Sequence, residues 1–164
     1  MKKLSIVVTA LALLAVGSCG ITRMTPEEKK AEKERVFTSV DRQLNQRNFT
    51  IDINYMTPMR GSGKSVTTYS LTVDGNVLKS HLPYFGVARR ASYGGGNALS
   101  FEEDIKEYYD SGFNGDRRTI YLTVDTKEDS FTYKIEIFDN GTASVSVNCR
   151  NRDDISYRGN LRVD

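Results

Sequence analysis

The hydrophobic pattern begins with a helical period, and the helix start is marked at Thr25. Thr25 suits an N-cap, Pro26 suits the first helical position, and Glu28 completes a capping box. The residues up to Arg35 are mostly charged, whereas a later apolar stripe recurs every four residues. The stripe consists of Val36, Val40 and Leu44. The pattern predicts a helix over 26–47 whose first half is solvated and whose second half packs on the domain.

From Phe49 onward the period changes to two, which is typical of strands with one buried face. The clearest alternating runs are 49–55, 67–73, 120–124, 131–137, 143–149 and 155–163. An antiparallel sheet with one apolar face must cover that face by closing, by packing on a second sheet, or by curving around a helix. Short hairpins favour a mainly β fold, α+β by content. We expect a strongly curved antiparallel meander or partly open barrel of seven to eight strands over 48–164, with one N-terminal amphipathic helix.

Two turns carry information about strand register. Asp74-Gly75 is a two-residue hairpin signal, and it predicts that Leu71 faces Leu78. With a two-residue turn at Asn140-Gly141, the apolar side chains of the next strand would point outward to solvent. A three-residue loop that starts at Asp139 keeps them inward, so we expect Gly141 to be left-handed in a bulged turn.

The first residues have the features of an exported lipoprotein. Two lysines precede an apolar run over 4–16, which is too short to span a bilayer as a helix. Val16–Cys19 then resembles the lipobox of bacterial lipoproteins. We expect a signal peptide over 1–18 and a lipidated tether over 19–25, anchored to the membrane through Cys19. An ordinary signal peptide and a retained N-terminal helix are the alternatives.

The residues after the predicted cleavage point indicate location and partners. Position 20 is Gly and no acidic run follows, which favours an outer-membrane anchor that faces the periplasm. The chain has 23 basic and 21 acidic residues, and loss of Lys2 and Lys3 leaves 21 of each. A nucleic-acid-binding protein needs a clustered basic surface, so this balance argues against a nucleic-acid partner.

The segment Leu82–Gly86 places large apolar side chains in a loop, where polar residues are usual. Pro83 removes a ladder donor and should end the preceding strand. The two aromatic residues that follow could fold inward as a plug of the core. Alternatively they form a recognition surface, because exposed aromatics beside Arg are common interface anchors. The candidate binding residues are Tyr84, Phe85, Arg89, Arg90 and Tyr93.

Four segments together resemble a known family. They are Leu82–Gly86, Tyr93-Gly94-Gly95, Phe138–Gly141 and Ile155–Gly159. They are similar to a family of small Bacteroidetes lipoproteins catalogued only as a domain of unknown function. The resemblance implies a lipid-anchored envelope protein with a mainly β domain, and it brings no established activity or catalytic residues.

Catalytic and metal chemistry have little support. His81 is the only histidine, and no nucleophile motif lies near it. One histidine with a core cysteine, Cys149, gives no zinc site, and we expect no metal or cofactor. The acidic stretch 102–110 lacks the spacing of an EF-hand loop, so we expect a solvated stretch rather than a Ca²⁺ site. The charged residues of 150–154 are expected to form surface ion pairs.

The sequence therefore favours a non-catalytic, lipid-anchored periplasmic lipoprotein that binds an envelope protein or peptide through its aromatic loop. The alternative is a carrier of a small apolar ligand in a barrel-like cavity, which requires a void near Leu82–Gly86. A hydrolase is disfavoured, because acid and base residues are scarce at plausible sites.

Overall fold

The computed structural model describes residues 24–89 and 99–163, and over these residues the chain forms one helix and nine strands. The helix, α1, spans Pro26–Asn45. The strands are β1 (Asn48–Pro58), β2 (Lys64–Asp74), β3 (Val77–Leu82), β4 (Leu99–Asp104), β5 (Glu107–Asn114), β6 (Arg117–Asp125), β7 (Ser130–Phe138), β8 (Thr142–Cys149) and β9 (Ile155–Leu161). The predicted signal peptide and tether to residue 23 lie outside the described residues.

Helix α1 begins at the predicted capping box, and of the predicted stripe it buries Val40 and Leu44 and half-buries Val36. The Glu28 N–H donates to Thr25 Oγ1 at 3.2 Å, and the Thr25 N–H donates to the Glu28 carboxylate at 2.7 Å. The first half of the helix is exposed, whereas Val40 and Leu44 are fully buried against the sheet. Within the described ranges, no helix combines the length and apolar character needed to cross a bilayer.

The strands form one antiparallel sheet in the order β4-β3-β2-β1-β9-β8-β7-β6-β5. The first and last strands pair at its centre, and the two edge strands, β4 and β5, follow each other in sequence. Only Ile105 and Lys106 join these edges. The Ile105 N–H donates to the Asn76 carbonyl and the Lys106 N–H to the Thr123 carbonyl, so the link contacts both halves of the sheet. The sheet is therefore curled into a half-barrel, which confirms the predicted fold class.

The strand count exceeds the predicted seven to eight, because the acidic stretch forms β4 and β5. Glu102, Asp104 and Glu107 are exposed there, whereas Asp110 is half-buried rather than solvated as expected, and these charges mask the alternation that marks the other strands. The β7–β8 turn is as predicted. Ile137 faces Ala143, and Gly141 has a φ of +82° in a three-residue loop.

The β2–β3 hairpin differs from the prediction by one turn position. Asp74 pairs with Val77, so the loop is Gly75-Asn76 and Leu71 faces Ser80 rather than Leu78. Gly75 takes the first central position with a φ of +60°, as a type II′ turn requires. The pairing slips by two residues, which leaves the same side chains on the buried face.

Strand β1 contains a bulge that the alternation does not show. Ile53 pairs with Gly159 and Tyr55 with Arg158, so Asn54 is the extra residue. Beyond the bulge Met56 becomes fully buried, and Tyr55 packs against Gly63 instead of entering the core.

Arg118 of β6 joins the helix to the sheet. Its guanidinium is buried and donates to Asp110 of β5 at 2.8 Å, to Asn45 at 2.9 Å and to Asp41 at 3.1 Å. Burial by itself raises the pKa of Asp110. The hydrogen bonds from Arg118 and from the Gly112 N–H outweigh burial, so the pKa of Asp110 is lowered overall.

This ion pair predicts a loss of stability in acid. Because folding lowers the pKa of Asp110, its carboxylate stabilises the fold above the unfolded pKa of about 3.9, and that contribution is lost as the pH falls through the folded pKa. Urea unfolding between about pH 5 and pH 2 should show a smaller decrease in unfolding free energy for Asp110→Asn than for the unaltered chain. Asp104→Asn, at an exposed position of β4, is the control. Equal acid sensitivity of Asp110→Asn and the unaltered chain would contradict the prediction.

Candidate functional site

The loop after β3 leaves the sheet where Pro83 ends the strand, as predicted. Leu82 and Pro83 are both buried. The buried Tyr157 hydroxyl donates to the Pro83 carbonyl at 2.7 Å, and the Tyr133 hydroxyl donates to Ser80 on the neighbouring part of β3 at 3.2 Å. Two tyrosines of the core therefore fill this end of the half-barrel and fix the point at which the loop begins.

Tyr84 and Phe85 take opposite roles, although the plug alternative would turn both inward. Tyr84 is half-buried, and its hydroxyl donates to the Asp153 carbonyl at 3.0 Å. Its ring lies over Gly86, where any Cβ would stand only 2.8 Å from Tyr84 Cζ. Burial raises the pKa of Tyr84, helped by the nearby acidic groups Cys149 and Asp153. Phe85 is 53% exposed and does not plug the core.

The loop backbone is paired with the segment between β8 and β9. The Arg89 N–H donates to the Asn151 carbonyl at 2.7 Å, and the Asp153 N–H donates to the Val87 carbonyl at 3.0 Å. The Val87 N–H in turn donates to the Asp153 carboxylate at 3.2 Å. With the Tyr84 hydroxyl bond to the Asp153 carbonyl, these bonds fix the loop on both sides of Phe85. Of the predicted binding residues, Arg89 is exposed, and Arg90 and Tyr93 lie outside the described residues.

A buried ion pair lies beneath this loop, and it corrects the expectation of surface pairs for 150–154. Arg152 Nε is 2.8 Å from Asp129 Oδ2, and the Asp129 side chain is fully buried. The other Asp129 oxygen accepts the N–H groups of Ser130 and Asn151. The Arg152 guanidinium lies 5.5 Å from the Tyr84 ring centroid, so it supports the aromatic loop from below.

The loop between β1 and β2 completes an exposed surface beside Phe85. Lys64 Nζ lies 4.7 Å from the centre of the Phe85 ring, and Arg60 Nε lies 3.8 Å from the Asp153 carboxylate. Met59 and Val87 on these two loops are 60% and 57% exposed. We call this surface the Phe85 corner, and it comprises Met59, Arg60, Lys64, Phe85 and Val87. It combines exposed apolar side chains with cations, and its loop after β3 is fixed by hydrogen bonds on both sides of Phe85.

Sequence patterns did not indicate the roles of Lys64, Asp129 and Arg152, because each side chain contacts a partner far along the chain. The only local signal was the isolated apolar Met59 between Pro58 and the glycines of the β1–β2 loop.

The two side chains that could serve in catalysis or metal binding, Cys149 and His81, lie on opposite faces of the sheet. Cys149 faces Phe131 on the buried side of the sheet, as predicted, and burial together with the charge of Asp129 raises the pKa of its thiol to about 12. His81 is exposed on the other face, where Nδ1 is 3.1 Å from Ser100 Oγ. Among residues 24–89 and 99–163, no three His, Cys, Asp or Glu side chains are grouped closely enough to hold a metal ion.

Comparison with known proteins places this curled half-barrel in a family. Residues 31–161 match the family model described as "Domain of unknown function (DUF4251)", and the chain belongs to that family. The crystal structure of a DUF4251 family protein from Bacteroides eggerthii DSM 20697 is similar, with a TM-score of 0.62 and 16% identity. The likeness covers 82% of this chain and 91% of that one, and at this identity it supports the fold alone. No curated protein gives a significant match.

Proposed function

We propose that this protein is a non-catalytic lipoprotein, anchored through Cys19, that binds another envelope protein or peptide through the Phe85 corner. Gly20 after the lipidated cysteine, with no acidic run behind it, supports a location at the outer membrane facing the periplasm. The lipobox-like segment supports the anchor, and the exposed first half of α1 supports a spacing role between membrane and domain.

The observation that carries the proposal is the exposure of Phe85 on a backbone fixed by hydrogen bonds. A half-exposed phenylalanine contributes little to folding stability, because much of its ring remains in water. Aromatic side chains are, in contrast, frequent energetic centres of interfaces. A fixed backbone lowers the ordering cost of association. Met59 and Val87 extend the apolar area around the ring.

The charges of the corner indicate the partner's chemistry. Arg60 and Arg89 on the two loops, and Lys64 at the start of β2, are all exposed cations. Arg60 contacts Asp153, whose carboxylate is buried beneath the loop. We therefore expect the partner's surface to present an apolar side chain bordered by acidic groups. Such groups steer and orient association with the cations of the Phe85 corner.

The ligand-carrier alternative is not favoured by the packing. It requires a void beside Leu82–Gly86, but the Tyr133 and Tyr157 side chains occupy this end of the core and are each nearly completely buried.

Site-specific photocrosslinking tests the proposal in the full-length chain. A benzophenone amino acid at position 85 should form a discrete adduct with an envelope protein in intact cells. The same group at position 109, an exposed tyrosine of β5, is the matched control and should not form it. Lys64→Glu should lower the adduct yield at position 85, because it reverses a charge beside the ring.

The captured protein is then purified and its affinity measured. Phe85→Ala should weaken binding by roughly tenfold or more, as for a central aromatic anchor. Identical adducts from positions 85 and 109, or an affinity that Phe85→Ala leaves unchanged, would overturn the proposal.

A further inference from the structure

We infer a second binding site, on the outer face of β5–β7, that takes an acidic oligosaccharide. The site is built on two tyrosines that face each other across β5 and β6. Tyr109 is directly opposite Tyr121, and their ring centroids are 6.3 Å apart. The two residues are 63% and 41% exposed, so the rings form an aromatic platform on the solvent side of the sheet.

A cleft of about 350 Å³ adjoins this platform. Tyr121 forms one wall, and polar side chains of three adjacent strands form the rest. They include Ser111, Arg117, Thr119, Lys134 and Glu136. A shallow polar cleft beside exposed aromatic rings suits a ligand that has both C–H faces and many hydroxyl groups, which is the chemistry of a sugar ring.

The charges of the cleft favour an acidic sugar. Arg117 Nη1 and Lys134 Nζ each lie 3.1 Å from the same oxygen of Glu136, Oε1. One carboxylate is therefore shared by two cations, and the cleft has one positive charge in excess. Both cations are about half exposed, which leaves N–H donors free to reach a ligand carboxylate or hydroxyl.

The strand pairing determines on which side of the tyrosine platform the positive charge lies. Lys134 pairs directly with Tyr121, so a cation stands beside the platform on the β7 side. Glu107 lies on the same face of β5 as Tyr109, two residues away and on the opposite side of the platform from the cleft. The carboxylate of the sugar is therefore placed over Lys134 and Arg117, and its ring over the tyrosines.

A protein ligand fits this surface less well. The centres of protein interfaces are depleted in lysine and glutamate and are formed by apolar side chains. Here lysine, glutamate and hydroxyl side chains are central, and the tyrosines lie on the edge strand β5 and on β6 beside it. The site shares no residue with the Phe85 corner, so the two proposals stand or fall separately.

Isothermal titration calorimetry of the full-length chain in detergent tests the inference. The probe is a tetramer of galacturonate, and the comparison ligands are a neutral galactose tetramer and polyglutamate. We expect the acidic tetramer to bind and the other two to bind at least about tenfold more weakly. Tyr121→Ala and Lys134→Met should each weaken binding roughly tenfold, whereas Tyr121→Phe keeps the ring and should retain most of the affinity.

Phe85→Ala is the control for a distant exposed aromatic and should bind the tetramer as the unaltered chain does. Absence of binding to the unaltered chain would overturn the inference. So would equal binding of the neutral tetramer or polyglutamate, or an affinity indifferent to both Tyr121→Ala and Lys134→Met in variants that melt normally.

Discussion

Gly159→Ala is expected to lower the free energy of unfolding by about 3 kcal/mol or more, at the upper end of the range for overpacked sites. Gly159 lies in β9 opposite the bulge of β1, where the two backbones approach closely. A Cβ at this position would collide with the carbonyl group of Asp52, 2.9 Å from its carbon, and would stand 3.1 Å from Ile53 Cα. These are backbone atoms of the central strand pair, so no side chain can rotate away to relieve the clash.

Urea unfolding followed by circular dichroism measures this effect. Gly61→Ala is the matched control, because Gly61 has a φ of +96° but open space around its Cβ position. That variant should lose only about 1 kcal/mol through backbone strain. A Gly159→Ala chain as stable as Gly61→Ala would show that β1 and β9 do not approach as described.

Arg152→Met is expected to cost about 3–5 kcal/mol, the usual loss when one partner of a buried ion pair is removed. The variant leaves the Asp129 carboxylate buried without its countercharge, although the N–H donors of Ser130 and Asn151 remain. It also removes the guanidinium beneath the Tyr84 ring. The loop that carries Phe85 should therefore lose its order together with the stability of the domain.

The unfolding free energies of two further variants separate the pair from a general effect of charge. Arg152→Met with Asp129→Asn should recover part of the loss, because the introduced amide would be neutral and its oxygen could still accept the two N–H bonds. Lys79→Met breaks exposed contacts to Asp74 and Glu102 and should change stability by less than about 1 kcal/mol. A loss for Arg152→Met no larger than that for Lys79→Met would contradict the buried pair.

The sequence predicts register well where competing turns differ by one residue. At Asn140-Gly141, only a three-residue loop keeps Ile137 and Ala143 on the same face, and the structure has that loop. At Asp74-Gly75 the alternatives differ by two residues, and both keep Leu71 and Leu78 inward. Burial cannot distinguish such registers. The preference of the turn for glycine at its first central position therefore selects the register that forms.

The candidate site was harder to predict, because its support comes from distant contacts. Asp129 and Arg152 lie in different loops, and nothing in the local pattern indicates that their charges are paired below the surface. The division of roles between Tyr84 and Phe85 depends on the space over Gly86 and on the Asp153 carbonyl, which receives the Tyr84 hydroxyl. Composition alone treats these aromatics as equivalent, whereas the fold buries part of one and exposes the other.

The most direct measurement compares the stability and the partner affinity of Phe85→Ala in the same preparation. If Phe85 is a docking residue, the unfolding free energy of Phe85→Ala should lie within about 0.5 kcal/mol of that of the unaltered chain, as for surface substitutions. Its affinity for the protein captured at position 85 should fall. A destabilisation of about 2 kcal/mol or more, with affinity unchanged in the folded fraction, would identify Phe85 as part of the core instead.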